Sequence, residues 1–327
     1  LQTCECNHAH DPVLCGQCVD LRNEGVRRLS AAVTVIPIIA EEFRQWSLPE
    51  CANGIHSLQD LKEVTYDGFD AGMAAFSSLI DRTRSVSPDV SKYQELVASL
   101  LNAGSRVYRT ACQHIGQFGF DEVAIFNGRF SATRAWVRAC QKTGTPFYTH
   151  EKGGNPSRVH KYVEALPHEI KYYPERILKH YEKRDLIPDY RSAGEHFFLE
   201  RPQGKLSNWE SFVSNQEKDS LPPDFNPGHK NIAVYTTTDY EKVASEDFNP
   251  PSQFEDQVET IIRLVKAVGA HDPSARFYLR VHPNSESSIS RWWEDPLLAS
   301  LPNVSIIPPT SLLSSYALLY ACDATVT

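Results

Sequence analysis

A strand–helix–strand pattern between residues 121 and 154 constrains the fold more than any other feature of this sequence. The apolar run 121–126 predicts a strand, the alanine-rich stretch 131–142 an amphipathic helix capped by Ser131, and residues 146–150 a second strand. Strands joined through a helix lie parallel, and ligands of parallel sheets bind beyond the carboxyl ends of the strands. The loops expected there carry Asn127, Gly128 and Arg129 after the first strand, and Glu151, Lys152, Gly153 and Gly154 after the second.

A second α/β pattern follows in the C-terminal third of the chain. Apolar runs predict strands at 232–236, 276–281, 304–307 and 324–327, and helical periodicity predicts helices at 254–268 and 311–320. A proline-rich stretch before this pattern places a domain boundary after residue 221. We therefore expect an α/β fold of two Rossmann-like domains facing a cleft, residues 1–221 with a helical extension and residues 222–327.

The ends and the apolar segments of the chain add further expectations. A leucine at position 1 and the strand-like residues Ala324–Thr327 at the other end predict a fragment that is truncated at both ends. The run Leu29–Ile39 predicts a strand or a buried helix, and apolar spacing predicts helical structure over 59–80. The longest apolar run, 31–40, is about half of the roughly 20 residues that cross a bilayer, so no membrane-spanning helix is expected.

Charge narrows the class of partner. The 327 residues include 33 basic and 41 acidic side chains, a formal net charge of −8 at pH 7. Nucleic-acid-binding proteins show a basic surplus or a basic stripe, so a nucleic-acid partner is disfavoured. Hydrophobic residues make up 41% of the chain, which is enough for folded cores.

Four of the eight cysteines form a Cys-x-Cys-x8-Cys-x2-Cys pattern near the N-terminus: Cys4, Cys6, Cys15 and Cys18. Two short-spaced pairs suit a tetrahedral metal, so a structural zinc site is one interpretation. Reduced thiols in a loop and a disulfide pair are the alternatives, and a reducing compartment disfavours the disulfide.

A histidine follows the predicted strand 276–281, in the sequence His282-Pro283-Asn284. Proline forces the chain out of the strand, which would place His282 at the carboxyl edge of the sheet. Its imidazole would contact a phosphate oxygen or protonate a leaving group, and strand alternation puts Arg280 on the same face. The alternative is a histidine in an ordinary turn.

Three other groups have a functional and a structural interpretation. Glu151, followed by glycines, would act as a general base on a substrate hydroxyl, or would be a solvated side chain in a turn. Arg129 would bind an anion or a sugar, or would lie on the first turn of a surface helix. The hydroxyl-rich run Thr236, Thr237 and Thr238 would bind phosphate or cap a helix.

The order of these blocks resembles bacterial capsule or surface polysaccharide biosynthesis proteins, which are glycosyltransferases of the GT-B type. The resemblance rests on Phe126–Phe130, Thr145–Gly154, Val281–Asn284 and Ser314–Thr327, together with the early cysteine pairs. It implies an acceptor side in the N-terminal domain and a nucleotide-sugar donor side in the C-terminal domain. Glu151 would be the base and His282 the contact to the donor phosphate. The Glu151 segment departs from the acidic pair before glycine found in Kdo- and sialyl-transferring relatives.

The resemblance also implies the partners and the location. A nucleotide-sugar donor and a glycan acceptor are expected, with no cofactor for catalysis, in the cytoplasm and with peripheral association at the inner membrane. The missing G-x-G-x-x-G and G-x-x-x-x-G-K-[ST] fingerprints disfavour dinucleotide oxidoreductases and P-loop NTPases. A nucleotide-sugar epimerase of the same fold, a non-catalytic glycan-assembly module and a zinc-stabilised interaction protein are the rival hypotheses.

Overall fold

The computed structural model describes residues 11–49, 55–153, 158–184, 190–200, 215–248 and 256–327. The chain is a mixed α/β protein that divides into two compact units. The first unit comprises Leu1–Thr83, Ser87–Glu151 and His160–Pro167, and the second comprises Arg84–Val86, Lys152–Val159 and His168–Thr327. The domain boundary proposed at residue 221 stays a prediction.

Within the described residues, the first unit contains five α-helices and most of a three-stranded sheet. The helices are α1 (Pro12–Arg27), α2 (Leu58–Glu63), α3 (Ala71–Thr83), α4 (Gln94–Phe118) and α5 (Ser131–Thr143). Helices α3, α4 and α5 pack against one another. The single helical segment expected over 59–80 is wrong in one respect: a turn separates α2 from α3. Asp67 and Gly68 adopt left-handed backbone angles there (φ 50° and 83°), which end helical geometry.

The prediction of a strand or a buried helix for Leu29–Ile39 is also wrong. This segment is irregular, and Val35 and Ile38 are exposed. Side chains of α4 bind its backbone and that of the residue after it: His114 Nε2 lies 3.1 Å from the carbonyl of Pro37, and the amide of Ala40 donates to Thr110 Oγ1 at 2.9 Å. Tertiary contacts therefore override the strand propensity of the segment.

The predicted strand–helix–strand block is confirmed. Strands β1 (Val123–Phe126) and β2 (Phe147–Lys152) pair in parallel, with Phe126 opposite His150, and α5 connects them. A third strand, β3 (Val159–Val163), pairs with the other side of β2. Ser131 is the first residue of α5 and does not cap it, since the cap position belongs to Phe130. Glu151 and Lys152 lie within β2 and not in a loop, because pairing with β3 prolongs the strand.

A four-stranded parallel sheet forms the centre of the second unit. Its strands are β4 (Asn231–Tyr235), β5 (Arg276–Arg280), β6 (Val304–Ile307) and β7 (Ala324–Val326), in the order β6-β5-β4-β7. The helices of this unit are α6 (Tyr172–Glu182), α7 (Tyr190–Glu200), α8 (Asp239–Ala244), α9 (Gln257–His271), α10 (Pro296–Ala299) and α11 (Ser315–Ala321). All four strands coincide with predicted ones to within two residues.

Helices cover both faces of this sheet. Alternate strand residues, such as Val234 and Phe277, pack against α9 and α10, whereas Ala233 and Tyr278 on the other face pack against Leu318 of α11. The chain moves from β4 to β5 and β6 on one side and returns to β7 on the other side. In open parallel sheets, ligands bind at the carboxyl edge near such a reversal. This places the residues that follow β4 and β5 at the position where a ligand is expected.

None of the helices in the described ranges combines the length and the apolar character that crossing a lipid bilayer requires.

Candidate functional site

His282 is held at the carboxyl edge of the four-stranded sheet by both its backbone and its ring. Its amide donates to Thr236 Oγ1 at 3.1 Å, which ties the chain after β5 to the chain after β4. Its Nδ1 accepts a hydrogen bond from the amide of Asn284 at 3.1 Å and lies 3.2 Å from Thr238 Oγ1. Pro283 begins a short 3-10 turn, which sets the geometry of the Asn284 contact. The ring orientation is therefore fixed before any ligand binds.

These contacts decide which ring nitrogen carries the proton. A backbone amide only donates, so Nδ1 of His282 must present a lone pair, and the proton of the neutral ring is on Nε2. Burial lowers the pKa of His282, and the nearby charge of Arg280 lowers it further. Near neutral pH the ring is thus an uncharged Nε2–H hydrogen-bond donor, which suits it to contact an anionic oxygen and not to accept a proton.

Arg280 places a buried positive charge at the same edge. Its guanidinium donates to the carbonyl of Pro308 at 3.2 Å and to that of Ser311 at 3.2 Å. Within the described ranges no carboxylate pairs with it, and its Nε has no hydrogen-bond partner there. Burial lowers its pKa. A buried charge without a counterion is costly, so this edge favours an anion.

The threonine run does not cap a helix through its hydroxyl groups. Thr238 occupies the N-cap position of α8, but its side chain makes no capping hydrogen bond and lies against His282 instead. Thr236 accepts from the His282 amide, and Thr237 is exposed, with its carbonyl bound by Gln257. The hydroxyl groups of Thr236 and Thr238 therefore position His282. Sequence reasoning missed these contacts, because they depend on the pairing register of β4 and β5.

Glu151 and Asn127 form the second group, in the first unit. Asn127 Nδ2 donates to Glu151 Oε1 at 2.5 Å. Asn127 is buried and left-handed (φ 57°), its amide donates to the carbonyl of His150, and its Oδ1 accepts from the amide of Arg129. The register of β1 and β2 brings the two residues together, since Phe126 lies opposite His150. The Glu151 carboxylate is half-buried and held in one position, as a general base requires.

The turn after β1 depends on Gly128. Its φ is 91°, and a Cβ at this position would lie 2.9 Å from Thr149 Cγ2. We expect Gly128→Ala to lower the free energy of unfolding by about 1–3 kcal/mol, through backbone strain and this contact. Urea denaturation measures it. Gly144→Ala is the control, because Gly144 has a similar φ of 70° but open space at its Cβ position. Equal losses for the two variants would contradict the role of the Thr149 contact.

Arg129 lies in the core and not on a surface helix. It donates to Ser77 Oγ at 3.0 Å and pairs with Asp81 at 2.9 Å, and its guanidinium lies over the ring of Phe130. Asp81 already supplies the opposite charge, so the geometry favours a role in tying α3 to the β1–α5 turn. Sequence reasoning missed Asp81, which is 48 residues away and carries no local signal.

The remaining predicted site residues are only partly described. Gly153, the residue after β2, donates its amide to the carbonyl of Arg158 at 2.9 Å. Gly154, Cys4 and Cys6 lie outside the described residues. Cys15 and Cys18 lie in α1, and the described ranges contain no group of three or more side chains that would hold a metal. The zinc site stays a prediction.

No family model matches the chain, and neither curated proteins nor solved structures provide a match. A functional assignment therefore depends on the geometry of the chain itself.

Proposed function

We propose that this chain is a glycosyltransferase of the GT-B type, with two Rossmann-like domains, that moves a sugar from a nucleotide-activated donor to a surface or capsular glycan. The observation that carries the proposal is that two groups lie at one sheet edge. His282 presents an uncharged Nε2–H imidazole, and Arg280 is a buried arginine that lacks a carboxylate partner in the described ranges. Both features favour the phosphate groups of a nucleotide sugar.

The reaction assigns a separate task to each group. The acceptor hydroxyl loses its proton to Glu151 as its oxygen attacks the anomeric carbon of the donor. The bond between the anomeric carbon and the phosphate oxygen breaks, and its electron pair stays on the phosphate. His282 donates a hydrogen bond to the phosphate, and the charge of Arg280 stabilises the developing negative charge. Asn127 orients the Glu151 carboxylate.

The first test is donor binding, measured by calorimetry with a panel of nucleotide sugars. Hydrogen bonds to charged groups are worth about 1.5–3 kcal/mol, so we expect His282→Ala to weaken binding of the recognised donor by about 10–100-fold. His271→Ala is the control, because His271 is exposed at the end of α9 in the same unit. Its affinity should equal that of the wild type.

Several outcomes would contradict the proposal. If the wild-type chain binds no nucleotide sugar, or if His282→Ala binds one as tightly as the wild type, the sheet edge is not the donor site. An epimerised sugar formed from the donor alone would favour the epimerase. Glycan binding without donor binding would favour a non-catalytic assembly module.

A further inference from the structure

A short surface segment, residues 216–220, binds the loop of residues 308–314 between β6 and α11. We call the segment the strap and the loop the β6–α11 loop. The amide of Glu217 donates to a carbonyl of this loop at 2.8 Å, and Ser220 Oγ accepts from the amide of Ser314 at 3.0 Å. The strap therefore holds the part of the loop that leads into α11.

Gln216 makes a two-point contact with Ser315, the first residue of α11. Its Oε1 accepts from the amide of Ser315 at 2.7 Å, and its Nε2 donates to Ser315 Oγ at 3.0 Å. A glutamine amide presents one acceptor and one donor, and Ser315 presents the complementary pair. The contact thus fixes the end of the β6–α11 loop against the strap.

The same loop holds the guanidinium of Arg280 on its other side. Within the described ranges, the hydrogen bonds of Arg280 are to the carbonyls of Pro308 and Ser311, and both belong to this loop. Arg280 is 4% exposed, and its Nε has no hydrogen-bond partner in these ranges. The direction of a buried cation that is bound by loop carbonyls follows the position of that loop.

A second route joins the strap to the same edge of the sheet. The carbonyl of Ser315, whose amide and hydroxyl bind Gln216, accepts from Tyr235 Oη at 2.6 Å. Tyr235 lies directly opposite Arg280 in the register of β4 and β5. Gln216 and Arg280 are therefore linked both through the loop and through Tyr235.

We propose that the strap is a positioning element of the donor site, in which Gln216 holds the β6–α11 loop and the loop holds Arg280 towards the donor phosphate. Gln216 touches neither donor nor acceptor and acts through Arg280. The role at the donor rests on the proposed function, whereas the hold on Arg280 is a property of the fold alone.

The alternative is that the strap only satisfies the first amides of α11, which every helix must pair with some acceptor. In that case the loss of Gln216 would lower stability but would leave Arg280 shielded from solvent. Its effect would also be the same whether or not Arg280 is present. Both differences can be measured.

The first experiment follows the modification of Arg280 by phenylglyoxal in the full chain without ligand, read by peptide mass spectrometry. Gln216→Leu removes both contacts to Ser315, so we expect the modification to be at least about tenfold faster than in the wild type. Gln216→Glu should restore slow modification, because its carboxylate accepts from both the amide and the hydroxyl of Ser315.

Two controls show that the effect is local. Gln59→Leu removes an exposed glutamine of α2 that binds Glu63, and it should leave Arg280 as slow to react as in the wild type. Arg129, which is 5% exposed in the first unit, should stay protected in every variant. Ser220→Ala is a milder second strap variant, and faster modification of Arg280 is expected there with Arg129 still protected.

The second experiment is calorimetry with the nucleotide sugar that the wild-type chain binds. Gln216→Leu should weaken binding by about tenfold, and it should have no further effect in the Arg280→Met background, because two changes that act through one group are not additive. Equal losses in the two backgrounds would overturn the positioning role.

The two experiments separate this inference from the proposed function. If Arg280 stays protected in both Gln216→Leu and Ser220→Ala, the inference about the strap is wrong, even where the wild-type chain binds a nucleotide sugar. If Arg280 becomes reactive in these variants but the wild-type chain binds no nucleotide sugar, the hold on Arg280 is confirmed and the donor site is overturned.

Discussion

Glu151→Gln is expected to lower the turnover of sugar transfer by about 10²–10⁴-fold, the usual contribution of a general base. Glutamine keeps the size of the side chain, and its carbonyl oxygen still accepts from Asn127 Nδ2, but it cannot take the acceptor proton. Donor affinity should therefore stay close to that of the wild type, and kcat should fall. Steady-state transfer with saturating donor, together with calorimetry, separates these quantities.

Two further variants distinguish catalysis from structure. Glu164→Gln changes an exposed glutamate just after β3 and should leave turnover unchanged. Asn127→Asp places a second carboxylate beside Glu151 and removes the Nδ2 donor that orients it, so kcat should fall. Wild-type turnover in Glu151→Gln, or an unchanged kcat in Asn127→Asp, would remove Glu151 from the mechanism.

Asp70→Ala is expected to lower the free energy of unfolding by about 3–5 kcal/mol, since it leaves a buried charge without its partner. Asp70 pairs with Arg134, which is buried, and accepts from Arg138 Nε at 2.8 Å and Arg138 Nη2 at 2.7 Å. The network joins the start of α3 to α5. Glu122→Ala is the control, because its ion pair with Lys161 is exposed and should contribute less than about 1 kcal/mol. Urea denaturation measures both.

The effect of Asp70→Ala should depend on pH in a defined direction. Burial acts to raise the pKa of Asp70, but hydrogen bonds and charges from Arg138 and Arg134 outweigh it and hold the pKa well below its usual range. A folded-state pKa below the unfolded value of about 3.9 gives stability that is present above that value and is lost as the pH falls towards the folded pKa. The difference between wild type and variant should therefore shrink below about pH 4. A constant difference down to lower pH would contradict this explanation.

Much of the fold could be predicted because the signals are local. Each strand of the four-stranded sheet is a short apolar run bounded by turn residues, and Asn127-Gly128 marks a turn because both positions tolerate left-handed backbone. The parallel pairing of β1 with β2 follows from the helix between them. The carboxyl-edge position of His282 follows from the proline after it.

Three of the errors share one physical cause, which is contact between residues far apart in sequence. Residues 29–39 are irregular because two side chains of α4, 70 and 77 residues away, bind the backbone at Ala40 and Pro37. The extension of β2 through Glu151 depends on pairing with β3, and the neutralisation of Arg129 depends on Asp81. None of these contacts leaves a periodic pattern in the sequence.

The order of the four parallel strands has a consequence for synthesis on the ribosome. β4 is central, yet both of its neighbours emerge later, and the Asn231 amide that donates to the Asp323 carboxylate waits for a residue 92 positions further along. Non-local pairing of this kind slows folding and leaves strand edges uncovered in the meantime. The nascent chain must therefore keep β4 from pairing with other polypeptides until β7 has been translated, and this is the stage at which a chaperone would protect it.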